Sequence, residues 1–188
     1  MENELDEPLK IAVNYLENNG FRYAIIGGIA LSQWGVVRVT HDVDIKVHVP
    51  DARYTGVREA LKKAFPDRAH PQAPENPLIV AVKIEGITVD FLLALPGYEE
   101  TIISRAVERH FGGWSAWFCS AEDLIIQKIV AGRGKDLSDV EALLIEQREK
   151  LDQAYILDWL SQFAEALEKP EILKVYAEIV ERVNRLLD

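Results

Sequence analysis

Asp42 and Asp44 are the residues of this chain whose types and spacing most directly suggest chemistry. They lie in the stretch 23–47, YAIIGGIALSQWGVVRVTHDVDIKV. There an apolar run ends in Gly27-Gly28, a short helix-like segment follows, and a second apolar run carries the two acids. A strand points residues i and i+2 to the same face, so Asp42 and Asp44 project together with Val43 and Ile45 behind them. Two carboxylates about 7 Å apart at the backbone can converge on one hard cation.

An Asp-x-Asp alone is weak, because ordinary composition supplies it by chance in roughly half of chains this long. Three additions strengthen it. Backbone N–H groups at a glycine turn entering a helix form an anion site, although any tight strand-to-helix turn also uses glycine. Arg38 and Thr40 stand just before the acids. Arginine is the planar, permanently charged partner of phosphate, with a surface ion pair to Asp42 or Asp44 as the plainer alternative. Asp90 interrupts the otherwise apolar run ITVDFLLA, and a carboxylate buried there needs a cation or a strong donor. A metal beside Asp42 and Asp44 would provide one.

A second cluster comprises Lys128, Arg133, Lys135, Asp136 and Asp139. Basic residues at a helix end are commonly a solvated terminus. Lys128 differs, because Ile125, Ile126, Ile129 and Val130 surround it; such a lysine points at a ligand or snorkels from the core. The histidines at 41, 48, 70 and 110 show no metal-ligand spacing, and Cys119 reads as core.

The elements that must position these residues follow from periodicity. Residues 8–19 predict an amphipathic helix, 21–26 a strand, 29–35 a short helix, and 43–49 a second strand stopped by Pro50. Asp51 is expected to cap a helix to about residue 65. Four prolines make 66–77 a loop. Runs 78–84 and 87–95 predict a hairpin about Glu85-Gly86, followed by a helix over 98–107 and a last strand over 114–119. From Ser120 the period becomes helical, with Ser120 and Asp123 forming a capping-box-like start. Helices are expected over 121–131, 136–148, 152–167 and 170–187. The chain therefore reads as an α/β half, 1–119, followed by a helical half, 120–188.

Bulk properties set limits on partners. The 188 residues carry 21 basic and 31 acidic side chains, a net charge of −10. That opposes non-specific binding to nucleic acid but allows a local basic groove. One cysteine precludes an internal disulfide framework and favours a reducing, cytoplasmic setting. The acidic N-terminus is unlike a signal peptide, and no apolar run reaches the ~20 residues that span a bilayer.

Gly-Gly, thirteen residues, Asp-x-Asp and a third Asp on a later strand together resemble the polymerase-β-like nucleotidyltransferase superfamily. RVTHDVDI resembles the Arg-x-Thr-x-Asp-x-Asp form of its minimal branch, which includes AbiEii-type and MenT-type toxins. AEDLIIQKIVAGRGKDLSDVEALL is similar to that branch's downstream helix pair.

The resemblance implies a mixed α/β (α+β) sheet flanked by helices, a catalytic domain over 1–119 and a helical lobe over 120–188. It implies an ATP-type nucleoside triphosphate as donor and two Mg²⁺ ions held by Asp42, Asp44 and Asp90. Gly27, Gly28, Arg38, Thr40 and Lys128 would contact the nucleotide, with Lys128 on the triphosphate and Asp139 as an orienter. The acceptor hydroxyl could belong to tRNA, a protein or a small molecule, and the toxin branch would add an antitoxin partner. The alternatives are an antibiotic-modifying adenylyltransferase and a non-catalytic nucleotide-binding module of the same fold.

Overall fold

The computed structural model of the chain describes residues 4–187; residues 1–3 and 188, the outer ends of the two expected segments, lie outside the described residues. The chain divides into two compact units. The first runs to Ile29 and resumes over Val39–Cys119, while the second takes Ala30–Arg38 and continues from Ser120.

The first unit is built on a mixed sheet of β1 (Tyr23–Ile26), β2 (Asp42–Val47), β3 (Ile79–Ile84), β4 (Ile87–Leu93), β5 (Val107–Phe111) and β6 (Trp114–Phe118). The strand order is β3-β4-β2-β1-β6-β5; β2 runs parallel to β4 and β1 to β6, and the other neighbours are antiparallel. Val43, Ile45 and Val47 on β2 and Val89, Phe91 and Leu93 on β4 are buried on one face. The alternate residues of those strands, the three aspartates among them, occupy the other.

Helix α1 (Asp6–Asn18) buries Leu9, Ala12, Val13 and Leu16 and packs against β3 and β4. Helix α2 (Gly27–Gln33) begins directly at the end of β1. Helix α3 (Tyr54–Ala64) packs on β3, and α4 (Tyr98–Ser104) on β1 and β2. The buried Lys46 ammonium on the aspartate face is answered by Glu99 of α4 at 2.5 Å.

Two expectations in this unit change. Asp51 does not cap α3. Pro50 starts a short 3₁₀ turn instead, Asp51 takes φ +53°, and Arg53 stands at the cap position without a capping side-chain hydrogen bond. The helix expected over 98–107 ends at Ser104, and 107–111 forms β5, turned back onto β6 through Gly112-Gly113.

The second unit contains α5 (Ala121–Ala131), α6 (Gly134–Gln147), α7 (Gln153–Ala166) and α8 (Glu171–Leu187), close to the expected helices. Ser120 Oγ accepts from the Asp123 N–H at 3.1 Å, as the sequence predicts. Gly132 ends α5 at φ +65°. Helix α8 buries Ile172, Tyr176, Ile179 and Val183, a stripe at helical spacing. Among the described residues no helix is long and apolar enough to cross a membrane.

Candidate functional site

The site begins with the register between β2 and β4. Asp44 lies directly beside Asp90 in this parallel pair, and Asp42 beside Thr88. Register partners share a face, so Asp42, Asp44 and Asp90 point to the same side of the sheet. Asp42 is exposed, whereas Asp44 and Asp90 are half-buried. The Asp90 Oδ1 atom is enclosed and has no hydrogen-bond partner among the described residues. Burial raises the Asp90 pKa above the ordinary carboxylate value; Asp42 pushes it the same way and His70 partly opposes.

The preceding residues lock this face together. Thr40 Oγ1 donates to Asp42 Oδ1 at 2.8 Å. A Cβ at Gly27 would fall 2.1 Å from Asp44 Oδ2, and Gly27 holds φ +68°. A Cβ at Gly28 would fall 2.6 Å from Thr40 Oγ1. Both glycines are therefore required by the close approach of the very side chains that the sequence had grouped with them. Among the described residues no three His, Cys, Asp or Glu side chains stand close enough to cage a metal on their own.

The other expected residues form a separate arrangement within the second unit. Lys128 in the last turn of α5 meets Asp136 and Asp139 at the start of α6, across the turn at Gly132. Its Nζ donates to Asp139 Oδ2 at 2.7 Å and to Asp136 Oδ1 at 3.4 Å. Arg38 Nη1 donates to the same Asp139 oxygen at 2.6 Å, so its ion pair is with Asp139 rather than with Asp42 or Asp44. Arg133 Nε donates to Asp136 Oδ2, and Arg133 Nη2 to Asp136 Oδ1 at 3.2 Å. Lys128, Asp136 and Asp139 are buried, and Lys135 is exposed. Burial alone would raise the Asp136 pKa, but Arg133 and Lys128 together hold it below the usual value.

One feature escaped the sequence. A cavity of about 340 Å³ lies beneath the proline-rich loop, and Arg58, Lys62, Arg68, His70, Glu75 and Asp90 are among its lining residues. The available signal was the cluster of basic residues on the second half of α3, followed by Arg68 and His70 in the loop.

Comparison with known proteins assigns the fold. Residues 6–176 match the family described as "Nucleotidyl transferase of unknown function (DUF2204)". The chain belongs to this family. An antigenic nucleotidyltransferase-like protein from Paracoccidioides brasiliensis shares its architecture, with a TM-score of 0.55 at 18% identity over 92% of this chain and 93% of that one. The chain thus has an α/β nucleotidyltransferase fold. No curated protein sequence matches it.

Proposed function

We propose that this DUF2204 chain transfers a nucleoside monophosphate from a nucleoside triphosphate to an acceptor hydroxyl, using two Mg²⁺ ions shared between Asp42, Asp44, Asp90 and the triphosphate. The carrying observation is the set of three carboxylates on one sheet face, one of whose oxygens is enclosed with no hydrogen bond among the described residues. A buried, unsatisfied polar atom costs free energy, and a cation offsets that cost. The donors fit Mg²⁺, which binds oxygen and is usually held by one or two carboxylates, with phosphates and water filling the rest. A protein-only cage is not needed for such a site. When bound, the metal would stabilise charge on the attacking and leaving oxygens.

The chain's own residues do the remaining work. Thr40 orients the Asp42 carboxylate through its hydroxyl. Gly27 keeps clear the space in which the Asp44 carboxylate lies against the start of α2. Asp90 faces the cavity beside the sheet. There it accepts the hydrogen bond of the incoming hydroxyl and helps to take its proton. The acceptor oxygen bonds to the α-phosphorus as the bond to pyrophosphate breaks.

Incubation with each labelled nucleoside triphosphate, Mg²⁺ and cell extract tests the reading. A labelled product that needs Mg²⁺ and disappears in Asp44→Asn supports it. Absence of both product and Mg²⁺-dependent nucleotide binding would sink it. The run Arg38-x-Thr40-x-Asp42-x-Asp44 favours the finer reading of a toxin of the AbiEii/MenT-like branch. That reading expects growth arrest on expression, relieved by a co-expressed antitoxin, and normal growth counts against it.

A further inference from the structure

The cavity beneath the proline-rich loop is unusual in its charge. The chain is strongly acidic, at −10, yet Arg58, Lys62, Arg68 and His70 line this one space, with Glu75 and Asp90 as the acids beside them. At about 340 Å³ the cavity falls within the range of small-ligand pockets. Its basic side chains come from two elements. Arg58 and Lys62 are one helical turn apart on α3, while the loop that folds over them supplies Arg68 and His70.

Glu75 is the key residue. Its carboxylate accepts from Arg58 Nη2 and from Lys62 Nζ, both at 2.8 Å. Lys62 foremost, with Arg68 and Arg58, holds the Glu75 pKa below its usual value. Arg58 also donates to the Asn76 carbonyl at 2.6 Å, and Arg68 to the Pro71 and Ala73 carbonyls at 3.4 and 3.2 Å. One carboxylate on a flexible side chain thus neutralises part of a site with more positive than negative charge. Arg58 presents a fork that matches a phosphate as well as it does a carboxylate.

The position of Asp90 links this cavity to the reaction. Its carboxylate belongs both to the aspartate face and to the cavity lining.

We propose that the cavity is the acceptor pocket, and that it takes a small hydroxyl compound bearing a phosphate group. The phosphate sits on Arg58 and Lys62, displacing the Glu75 carboxylate, and the hydroxyl lies toward Asp90. This deepens the nucleotidyltransferase reading and rests on it. The acceptor oxygen forms a bond to the α-phosphorus of the nucleoside triphosphate, the bond to pyrophosphate breaks, and the hydroxyl proton passes by way of Asp90 to solvent. A cavity of this size in a chain of net charge −10 favours a small anion over a long polyanion such as RNA.

The test uses the full chain and binding titrations without nucleotide. The probes are glycerol 3-phosphate, ribose 5-phosphate and glucose 6-phosphate, each against its unphosphorylated parent. The expected result is binding of at least one phosphorylated probe, with its parent at least tenfold weaker. Lys62→Gln should weaken that binding tenfold or more, Glu75→Gln should tighten it severalfold, and Lys174→Gln should leave it unchanged. Circular dichroism confirms that each variant is folded. Equal binding of parent and phosphorylated probe, indifference to Lys62→Gln, or weaker binding in Glu75→Gln overturns the proposal. So does nucleotidyl transfer to RNA alone. If the sugar phosphate binds as expected but no nucleoside triphosphate is bound or turned over, the pocket stands and the parent reading fails. Asp44→Asn separates the two again, because it should abolish transfer while sparing acceptor binding.

Discussion

Asp90 on the sheet and Asp139 among the helices are both withdrawn from water, but their surroundings differ in kind. Asp139 is met by Lys128 and Arg38, and its neighbour Asp136 by Lys128 and Arg133, so the helical cluster answers each negative charge within its own unit. Asp90 has Asp44 beside it in the ladder, repulsion from Asp42, and one oxygen with no hydrogen bond among the described residues. A closed network of buried charges holds a structure in place. The set around Asp90 stays open at its enclosed oxygen, which finds no hydrogen bond among the described residues, and such an atom persists where something outside the chain completes it. The contrast fits a scaffolding role for the first cluster and, under the proposed nucleotidyl transfer, a reactive one for the second.

The largest expected effect comes from the open set. Asp44→Asn should lower nucleotidyl transfer about 1000-fold or more, in the range seen when a group that stabilises transition-state charge is lost. Its thermal unfolding should be close to wild type. A large loss of stability would break the comparison, since Asp44 would then be structural.

The closed set should respond in the reverse sense. Lys128→Met leaves Asp136 and Asp139 without their shared ammonium and should cost about 3–5 kcal/mol in urea-unfolding free energy. If Lys128 also serves the triphosphate, KM for the nucleotide rises beyond what the folded fraction explains. An unchanged KM would confine it to scaffolding.

Gly27→Ala is intermediate. The new Cβ would collide with Asp44 Oδ2 and take a left-handed conformation, which costs about 1–3 kcal/mol. Activity should fall with stability, because the displaced carboxylate is one proposed to hold Mg²⁺. Gly20→Ala shares the positive φ but has nothing near its Cβ, so it should lose stability while keeping activity in the folded fraction.

The smallest effect is on pH dependence and has opposite signs in the two units. Asp136 has a lowered folded pKa, so its contribution is present above the unfolded value and is lost as pH falls through the folded one. Asp90 has a raised folded pKa, so protonation favours the folded state as pH falls from the folded value toward the unfolded one. In chelator, urea midpoints across acidic pH should show a gain that Asp90→Asn removes and, at lower pH, a loss that Asp136→Asn removes. A single monotonic loss untouched by Asp90→Asn would remove the distinction.

Much of this was legible in the residues because it is periodic. β2, β4 and helices α5 to α8 carry clean two-fold or helical repeats, and their positions matched closely. β5 was not legible: VERHF places Glu108, Arg109 and His110 in succession between two apolar residues at an edge of the sheet, and its pairing with β6 depends on a turn rather than on its own pattern. The aspartate face could be read because its acids are two residues apart or sit in a conspicuous strand. The Arg38–Asp139 pair could not, since 101 residues separate them and Arg38 stands only four positions from Asp42. Local spacing suggested the wrong carboxylate, and tertiary structure chose another.

The detour of residues 30–38 has a consequence for modularity. The backbone passes from one unit to the other at Ile29–Ala30, at Arg38–Val39 and at Cys119–Ser120. Cutting the gene at the obvious boundary after residue 119 would not release two exchangeable cassettes. The C-terminal fragment would start without Leu31 and Val36, and Asp139 would lose its arginine. A fragment-complementation or domain-swap design must therefore carry Ala30–Arg38 with the helices, by circular permutation or by duplication. For the same reason, a single crossover after residue 119 would not carry the whole helical unit.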